Sequence, residues 1–223
     1  NGQILSLENQ ELQDLDHLTH SLSLNMKDIV GGEIQIPTYR LFEIDQMMNQ
    51  ESSLHYQRSA ELKKWTEDFK QREYDFDIPQ HYQSILRDYQ KLGDQWLRLM
   101  EHYGFGGILA DDMGLGKTLQ MITYFDSLKG QGTHMVIAPA SLIFNWQDEF
   151  QKFSQDLKVL CVYGHREARE KLLEHKEDYN VVITSYDYLR RDIELYETYQ
   201  FHTVVIDEAQ NIKNPKTRNA ICV

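Results

Sequence analysis

The sequence has few cysteines, no long apolar run and too few basic residues to balance its acidic ones. Cys161 and Cys222 are the only cysteines among 223 residues, which excludes a disulfide framework, and their spacing is not that of a metal site. No apolar stretch reaches the ~18–20 residues that cross a bilayer, and no signal peptide opens the chain. We therefore expect a protein of a reducing, cytoplasmic compartment that does not associate with membranes.

The shortage of basic residues limits how the protein could contact a nucleic acid. Thirty-five acidic residues stand against 23 basic ones, which gives a formal net charge of −12. A chain with this charge is not a generally basic nucleic-acid binder, so any such contact must come from a local surface. The length allows one large domain, or a core domain with a smaller one attached.

One stretch, residues 106–120, reads as strand, turn and helix in succession. The apolar run 107–110 predicts a short buried strand, Gly114 and Gly116 predict a tight turn, and a helix is expected from Lys117 onward. This order is typical of a phosphate-binding loop, in which backbone N–H groups and the positive end of a helix form a concave anion site.

The residues expected to bind a nucleoside triphosphate share this turn and the start of the helix: Met113, Gly114, Leu115, Gly116, Lys117 and Thr118. Lys117 would bring its charge to the β- and γ-phosphates, and Thr118 would offer its hydroxyl to Mg²⁺. Asp111 occupies the position of the first glycine in the strict G-x-x-x-x-G-K-[ST] pattern. The alternative interpretation is a glycine-rich turn that caps a helix and leaves the lysine exposed.

Strands and helices alternate from residue 84 to the end of the chain. The candidate strands share nearly continuous valine and isoleucine runs: residues 107–110, 134–138, 158–162, 180–184 and 203–206. Helices are expected between them at residues 118–128, 142–153, 166–175 and 186–191. This alternation predicts an α/β fold with a parallel sheet covered on both faces, and ligands of such sheets bind beyond the carboxyl ends of the strands.

An acidic pair follows the last of these strands. Asp207 and Glu208 end the apolar run that starts at residue 203, where a turn can direct both carboxylates to one site. Asp207 would hold Mg²⁺ through water, and Glu208 would orient and deprotonate the attacking water molecule. The alternative is an ordinary acidic turn after a core strand.

Six stretches, in order and spacing, resemble the Swi/Snf-type branch of the superfamily two helicase-like ATPases: residues 86–90, 111–118, 136–146, 182–187, 207–210 and 210–215. In that resemblance residues 111–118 are motif I and residues 207–210, which read Asp-Glu-Ala-Gln, are motif II. The match covers roughly residues 80–223. Residues 1–80 resemble faintly the segment that precedes the motor in bacterial, especially Gram-positive, members.

The resemblance implies that residues 81–223 are the first of two RecA-like lobes and that residues 1–80 are a mainly helical accessory segment or linker. It also implies that Gln90 reads the adenine edge, although an ordinary glutamine at a helix start is the alternative. Ser141, Thr184 and Ser185 would place helix amides and hydroxyls against nucleic-acid phosphates, or serve only as caps and turns. Trp146 is expected in the core rather than stacked on a base.

Family members continue with a motif III and a second lobe that supplies a catalytic arginine, and this chain reaches Val223 before either. We therefore expect a fragment whose partner lobe is missing, since loss of such an arginine can slow hydrolysis by ~10³–10⁵-fold.

The function implied is that of a DNA-dependent ATPase, using ATP and Mg²⁺, which translocates on duplex DNA and remodels protein–DNA complexes in the bacterial cytosol or nucleoid. One alternative is a strand-separating DNA helicase or an RNA helicase, and Gln210 in place of a second aspartate counts against an RNA enzyme. A non-catalytic nucleotide-binding module is the third. A GTPase is disfavoured because no Asn-Lys-x-Asp guanine reader is present.

Overall fold

The computed structural model describes residues 57–71 and 76–223, together with isolated positions at 13, 14, 16, 19, 20, 36, 37, 40, 41, 44 and 45. Backbone contacts divide the chain into two compact units. The first comprises residues 1–75 with 99–107, and the second comprises residues 76–98 with 108–223.

The second unit contains a four-stranded sheet in the order β2-β3-β1-β4, and all of its pairings are parallel. The strands are β1 (His134–Ala138), β2 (Val159–Cys161), β3 (Val181–Ser185) and β4 (Val204–Ile206). Every residue of β1 and β3 is buried, as expected for β-branched runs in the middle of a sheet covered on both faces. The predicted α/β fold with a parallel sheet is confirmed.

The α-helices assigned within residues 57–71 and 76–223 are α1 (Ala60–Gln71), α2 (Asp88–His102), α3 (Lys117–Ser127), α4 (Ile143–Phe153), α5 (Arg166–Glu174), α6 (Tyr186–Arg191), α7 (Ile193–Tyr196) and α8 (Arg218–Cys222). Short 3₁₀ turns occur at Gln80–Tyr82, Ala140–Leu142, Lys176–Asp178 and Ala209–Ile212. The predicted helices between the strands begin and end within one residue of α3, α4, α5 and α6. The short α7 and α8 were not predicted.

Alternate residues of each strand enter separate cores on the two faces of the sheet, as the period of two requires. Val136 and Ile183 face α3 and α4, which contribute Ile122, Phe125 and Phe150 among others. The opposite face of the sheet packs against α5, α6 and α7. The sheet side of this second core is formed by Met135, Ile137, Leu160, Val162 and Val182, and the helix side by Leu173, Tyr186, Leu189 and Tyr196.

The predicted strand at residues 107–110 is wrong. None of the four strands pairs with it, and Ile108 is 84% exposed. Both sides of β1 are already occupied, by β3 and β4, so this segment has no central place in the sheet. Leu109 alone of these residues packs against the core.

Apart from the isolated positions, the described part of the first unit is residues 57–71, which contain α1, and residues 99–107. Trp65 and Phe69, one helical turn apart, each meet Tyr103 and Phe105 edge to face at 5.1–5.8 Å between ring centroids. The strongly charged stretch 54–74 predicts a helix, but α1 begins at Ala60, after Ser59, whose hydroxyl accepts a hydrogen bond from the Leu62 amide. Such a cap defines a helix start. The sequence pattern also predicts one or two helices over residues 5–24, a short strand over residues 33–36 and a helix over residues 39–48. These elements lie, apart from the isolated positions, outside the described residues.

Candidate functional site

The turn before α3 has the backbone geometry that an anion site needs. Gly114 and Gly116 adopt φ angles of 85° and 76°, a region in which glycine carries no steric cost. Gly116 is the N-cap of α3 and offers no side chain, and the first helical bond runs from the Gln120 amide to the Gly116 carbonyl. The amides of the first turn therefore have no partner within the helix and lie at its positive end.

The Lys117 side chain folds back onto this loop. Its ammonium group donates hydrogen bonds to the carbonyls of Asp111, at 2.7 Å, and Asp112, at 3.1 Å. These two carbonyls hold the positive charge beside the turn, within reach of any anion that the turn surrounds. Met113, at the outer edge of the loop, is 89% exposed.

The start of α2 is tied to the same loop. Tyr89 and Gln90 both donate hydrogen bonds to the Leu115 carbonyl, at 3.0 Å each. The Gln90 side-chain oxygen accepts from the Arg87 amide at 2.9 Å, and Gln90 is only 6% exposed. Gln90 thus lies against the phosphate loop with both ends of its amide bonded, and to read an adenine it would have to exchange one of those bonds.

The connections of α3 bring the loop to the same edge of the sheet as the acidic pair. At the carboxyl end of α3, the ring centroid of Phe125 lies 4.9 Å from that of His134, the first residue of β1. The Tyr124 hydroxyl is 3.4 Å from that of Thr203, just before β4. Because eleven helical residues rise ~16 Å and five strand residues span ~17 Å, the amino end of α3 falls near the carboxyl ends of the strands.

Asp207 follows β4 at that edge, and several hydrogen bonds hold it. One carboxylate oxygen accepts from the Trp146 indole N–H at 2.8 Å, and the other accepts from the Glu208 amide at 2.9 Å. The Asp207 carbonyl accepts from the Tyr186 hydroxyl at 2.6 Å. The acidic turn is therefore fixed from two neighbouring elements, α4 and α6.

Glu208 adopts φ 51°, and it is the one residue other than glycine with positive φ in the described part of the chain. Left-handed backbone of this kind costs a non-glycine residue ~1–2 kcal/mol and is concentrated at functional sites. The Gln210 side-chain amide donates to the Glu208 carboxylate, and the Asn211 side-chain amide donates to the Glu208 carbonyl at 2.8 Å. The Glu208 carboxylate therefore projects from a strained turn at the edge of the sheet.

The donors present fit a nucleoside triphosphate with Mg²⁺ better than a metal ion alone. Within the described residues, no three histidine, cysteine or carboxylate side chains are grouped as a metal site. A magnesium ion is commonly held by one or two protein oxygens together with substrate phosphates. Thr118 could supply one such oxygen directly and Asp207 could bind through a water molecule, with the glycine turn and Lys117 on the phosphates.

The residues expected at a nucleic acid differ in exposure. Ser141 is exposed in the 3₁₀ turn before α4, but it does not cap that helix, whose N-cap is Leu142. Thr184 and Ser185 are buried; the Thr184 hydroxyl accepts from Tyr196, and the Ser185 hydroxyl caps α6 by accepting from the Tyr188 amide. For these two side chains, the contacts match the alternative of structural turn and cap residues.

Sequence reasoning missed two residues of this site. Trp146 lies in the core as expected, 5% exposed, but its bond to Asp207 joins residues 61 positions apart and leaves no sequence pattern. Tyr186 follows a strand end directly, at the edge where ligands bind, and that position was the available signal.

Comparison with known proteins gives two family matches. The family described as SNF2-related domain matches residues 89–222, and the one described as bacterial SNF2 helicase associated matches residues 1–79. The described residues contain no helix that is both long and apolar enough to cross a membrane.

Among individual proteins, a putative ATP-dependent helicase/translocase, YwqA, of Bacillus subtilis (strain 168) is 34% identical over 98% of this chain and 25% of its own length. An uncharacterized ATP-dependent helicase of Mycoplasma pneumoniae is 38% identical over 82% of this chain and 18% of its own length. The chain thus spans a quarter or less of these relatives.

Among solved structures, the Sulfolobus solfataricus SWI2/SNF2 ATPase core in complex with dsDNA matches with a TM-score of 0.60 and 41% identity. The match covers 67% of this chain and 31% of that one. The ATPase core domain from the same organism matches with a TM-score of 0.52 and 40% identity.

Proposed function

The chain belongs to the SNF2-related family, and on that premise we propose that residues 81–223 form the first, ATP-binding lobe of a DNA-dependent ATPase. In the full-length protein this ATPase translocates on duplex DNA and remodels protein–DNA complexes. The observation that supports the proposal most is the course of α3, which runs back from the amino ends of β1 and β4 and so turns the phosphate loop toward the edge that carries Asp207 and Glu208.

In this proposal the loop binds the triphosphate through its backbone. Met113, Gly114, Leu115 and Gly116 surround the phosphates, and the first-turn amides of α3 point at them. Lys117 exchanges its bonds to the Asp111 and Asp112 carbonyls for bonds to the β- and γ-phosphates. Gln90 receives the adenine edge from its place beside Leu115.

In the same proposal, Thr118, Asp207 and Glu208 bind the metal and the attacking water molecule. Thr118 and Asp207 would hold Mg²⁺, which would supply positive charge to stabilise the negative charge of the phosphates. Glu208 orients the attacking water and accepts its proton. The strained backbone of Glu208 supports this role, because strain persists only where the surroundings enforce it.

Duplex DNA is the proposed nucleic acid. One solved relative is an ATPase core in complex with dsDNA, and it is 41% identical over 67% of this chain. Ser141 offers an exposed hydroxyl for a phosphate, while Thr184 and Ser185 shape the neighbouring turn from inside and present its backbone. Such contacts position the protein without reading bases, as a motor that moves along any sequence requires.

The remaining parts of the proposal concern the full-length protein. A second RecA-like lobe supplies the arginine that completes the site, residues 1–80 form a helical accessory segment, and the protein acts in the bacterial cytosol or nucleoid. The match of residues 1–79 to a bacterial helicase-associated family supports the accessory segment and the bacterial setting.

The test is ATP hydrolysis by the full-length protein with and without duplex DNA. We expect stimulation by DNA that is lost in Lys117→Ala and Glu208→Gln. The matched control is Lys129→Ala, just beyond the other end of α3, where Lys129 pairs with Asp156 at 3.1 Å. Absence of stimulation, or its survival in both site variants, would refute the proposal. Unwinding of a forked duplex, or preference for RNA, would favour the strand-separating or RNA helicase alternative.

A further inference from the structure

Asp207 is braced on both its side chain and its main chain by two donors that the ATP chemistry itself does not require. The Trp146 indole N–H fixes one carboxylate oxygen at 2.8 Å. The Tyr186 hydroxyl fixes the Asp207 carbonyl at 2.6 Å. Both donors are 5% exposed, so neither bond competes freely with solvent and each holds its acceptor in one orientation.

The two bonds control different parts of the acidic pair. Trp146 orients the carboxylate that would hold the metal. The carbonyl bonded by Tyr186 belongs to the peptide that joins Asp207 to Glu208, and the N–H of that peptide is held by the Asp207 carboxylate at 2.9 Å. Tyr186 thus fixes the peptide plane from which the left-handed Glu208 projects.

Neither donor can lose its proton under ordinary conditions. An indole N–H is a donor only. Burial, together with the charges of Asp207 and Glu208, raises the pKa of Tyr186 to about 12. Both groups therefore act by position and remain donors throughout the neutral range.

The donors come from the two elements that lie next to the proposed nucleic-acid contacts. Trp146 is in the first turns of α4, directly after the 3₁₀ turn that exposes Ser141. Tyr186 is the first residue of α6 and follows the cap residue Ser185. A shift of either element on binding a phosphate backbone would move a donor that holds the acidic pair.

We propose that Trp146 and Tyr186 are positioning residues that transmit DNA engagement to the ATP site, Trp146 through the metal-binding carboxylate and Tyr186 through the peptide of Glu208. This inference rests on the proposed function and adds the route by which DNA acts on it. Coupling between binding sites is reciprocal, so DNA should change the affinity for the metal, and the metal should change the affinity for DNA by the same factor.

The experiment uses the full-length protein and two readouts. Electron paramagnetic resonance measures Mn²⁺ affinity in the presence of a slowly hydrolysed ATP analogue, with and without duplex DNA. Steady-state kinetics measures kcat and KM for ATP. The variants are Trp146→Phe and Tyr186→Phe, and the matched control is Tyr82→Phe, which also deletes one buried hydroxyl, that bonded to the Asp126 carboxylate at 2.8 Å.

We expect Trp146→Phe to weaken Mn²⁺ binding by ~10–100-fold, the usual effect of removing a group that orients a ligand, and to abolish the effect of DNA on that affinity. Tyr186→Phe should lower the DNA-stimulated kcat by about tenfold with KM and Mn²⁺ affinity unchanged, since a general base contributes ~10²–10⁴-fold when correctly placed. Tyr82→Phe should change neither the Mn²⁺ affinity nor the DNA-stimulated kcat.

Should Trp146→Phe fail to fold, benzothienylalanine at position 146 keeps the ring volume and removes only the N–H donor. If DNA stimulates the wild-type protein, and both variants keep the wild-type Mn²⁺ affinity and the wild-type DNA-stimulated kcat, this inference is overturned and the proposed function stands. Equal losses in Tyr186→Phe and Tyr82→Phe would overturn it too, because they would indicate a general structural effect. A wild-type protein that DNA does not stimulate would overturn both proposals.

Discussion

The Gln120 side-chain amide donates a hydrogen bond to the Asp111 carboxylate at 2.8 Å, and this bond joins α3 to the start of the phosphate loop. Asp111 is the residue that replaces the first glycine of the strict loop pattern. The bond gives a physical reason for an aspartate there: its side chain anchors the loop to the helix that follows. A glycine could not make this connection.

Gly93 is expected to be indispensable for that anchor. A Cβ atom at position 93 would lie 1.9 Å from the Gln120 side-chain oxygen, so Gly93→Ala must displace Gln120 from Asp111. We expect a loss of about 1–3 kcal/mol in the free energy of unfolding, as for overpacked cores, and a raised KM for ATP. The control is Gly106→Ala, where a Cβ meets no described atom within 4 Å; equal behaviour of the two variants would contradict the prediction.

Replacement of Glu208 should separate stability from activity. Because Glu208 adopts φ 51°, Glu208→Gly should remove backbone strain and gain about 1 kcal/mol or less in the free energy of unfolding. Glu208→Gln keeps the strain and should gain nothing. Both variants should lose hydrolysis by ~10²–10⁴-fold while retaining ATP binding. Urea denaturation and single-turnover hydrolysis test this, and a destabilised Glu208→Gly would argue against strain at this turn.

Two buried ionisable groups should give opposing pH dependences. Burial raises the pKa of Asp94 from 3.8 to about 6, against a smaller opposite effect of the Arg98 charge, and neither of its oxygens has a hydrogen-bond partner among the described residues. The folded chain therefore keeps a proton that the unfolded chain releases, and stability falls as pH rises from about 4 to 6. Burial, with a smaller effect of His202, lowers the pKa of His134 from 6.5 to about 4. Between these pH values the unfolded chain binds a proton that the folded chain does not, so the His134 contribution to stability rises as pH rises from about 4 to 6.5.

Single variants should reveal these two trends. Asp94→Asn should gain stability relative to the unsubstituted chain as pH rises from 4 to 7, and His134→Phe should gain it as pH falls over the same range. Each change should be on the order of 3 kcal/mol, since one pKa unit corresponds to ~1.4 kcal/mol. Urea titrations at pH 4, 5, 6 and 7 measure them. Stability differences that do not vary with pH would show that neither group has a shifted pKa.

The buried pair of Arg169 and Asp192 should be strongly coupled. Two guanidinium nitrogens donate to the Asp192 carboxylate, at 2.5 and 2.8 Å, and a third donates to the Gly164 carbonyl. Because Asp192 is 1% exposed, Arg169→Leu leaves an uncompensated charge and should cost about 3–5 kcal/mol.

The double variant Arg169→Leu/Asp192→Leu should recover part of that loss, because both charges are removed. Thermal and urea unfolding of the four proteins of the cycle provide the coupling energy. Arg166→Ala is the control, since its pair with Glu170 is exposed and should contribute little. Additive losses in the double variant would contradict the expected coupling.

The sequence predicted the elements that the hydrophobic pattern controls directly. Strand β1 and helix α6 begin and end where expected, since continuous valine and isoleucine runs and a cap residue define them locally. The glycine turn and the acidic pair could also be found, because their residue types and order suffice. The strand prediction for residues 107–110 was wrong for a non-local reason. Their apolar run fits a strand, but both places beside β1 are filled by other segments.

The features that the sequence could not predict are side-chain contacts. The hydroxyls of Thr184 and Ser185 could be placed at a strand end from the sequence, but their burial depends on Tyr196 and on the geometry of α6. The bonds from Trp146 and Gln120 to carboxylates 61 and 9 positions away depend on how α4 and α3 pack. No local pattern encodes such distances.

The central claim is that one bound nucleotide lies between the loop at residues 111–118 and the acidic pair at residues 207–208. A crystal structure of the full-length protein with Mg²⁺ and a slowly hydrolysed ATP analogue measures this directly. We expect the Thr118 hydroxyl at ~2.1 Å from the metal, as magnesium requires, with Asp207 one water molecule away and Lys117 on the phosphates. A nucleotide held by the loop with its metal remote from Asp207, or one bound elsewhere on the protein, would contradict the account.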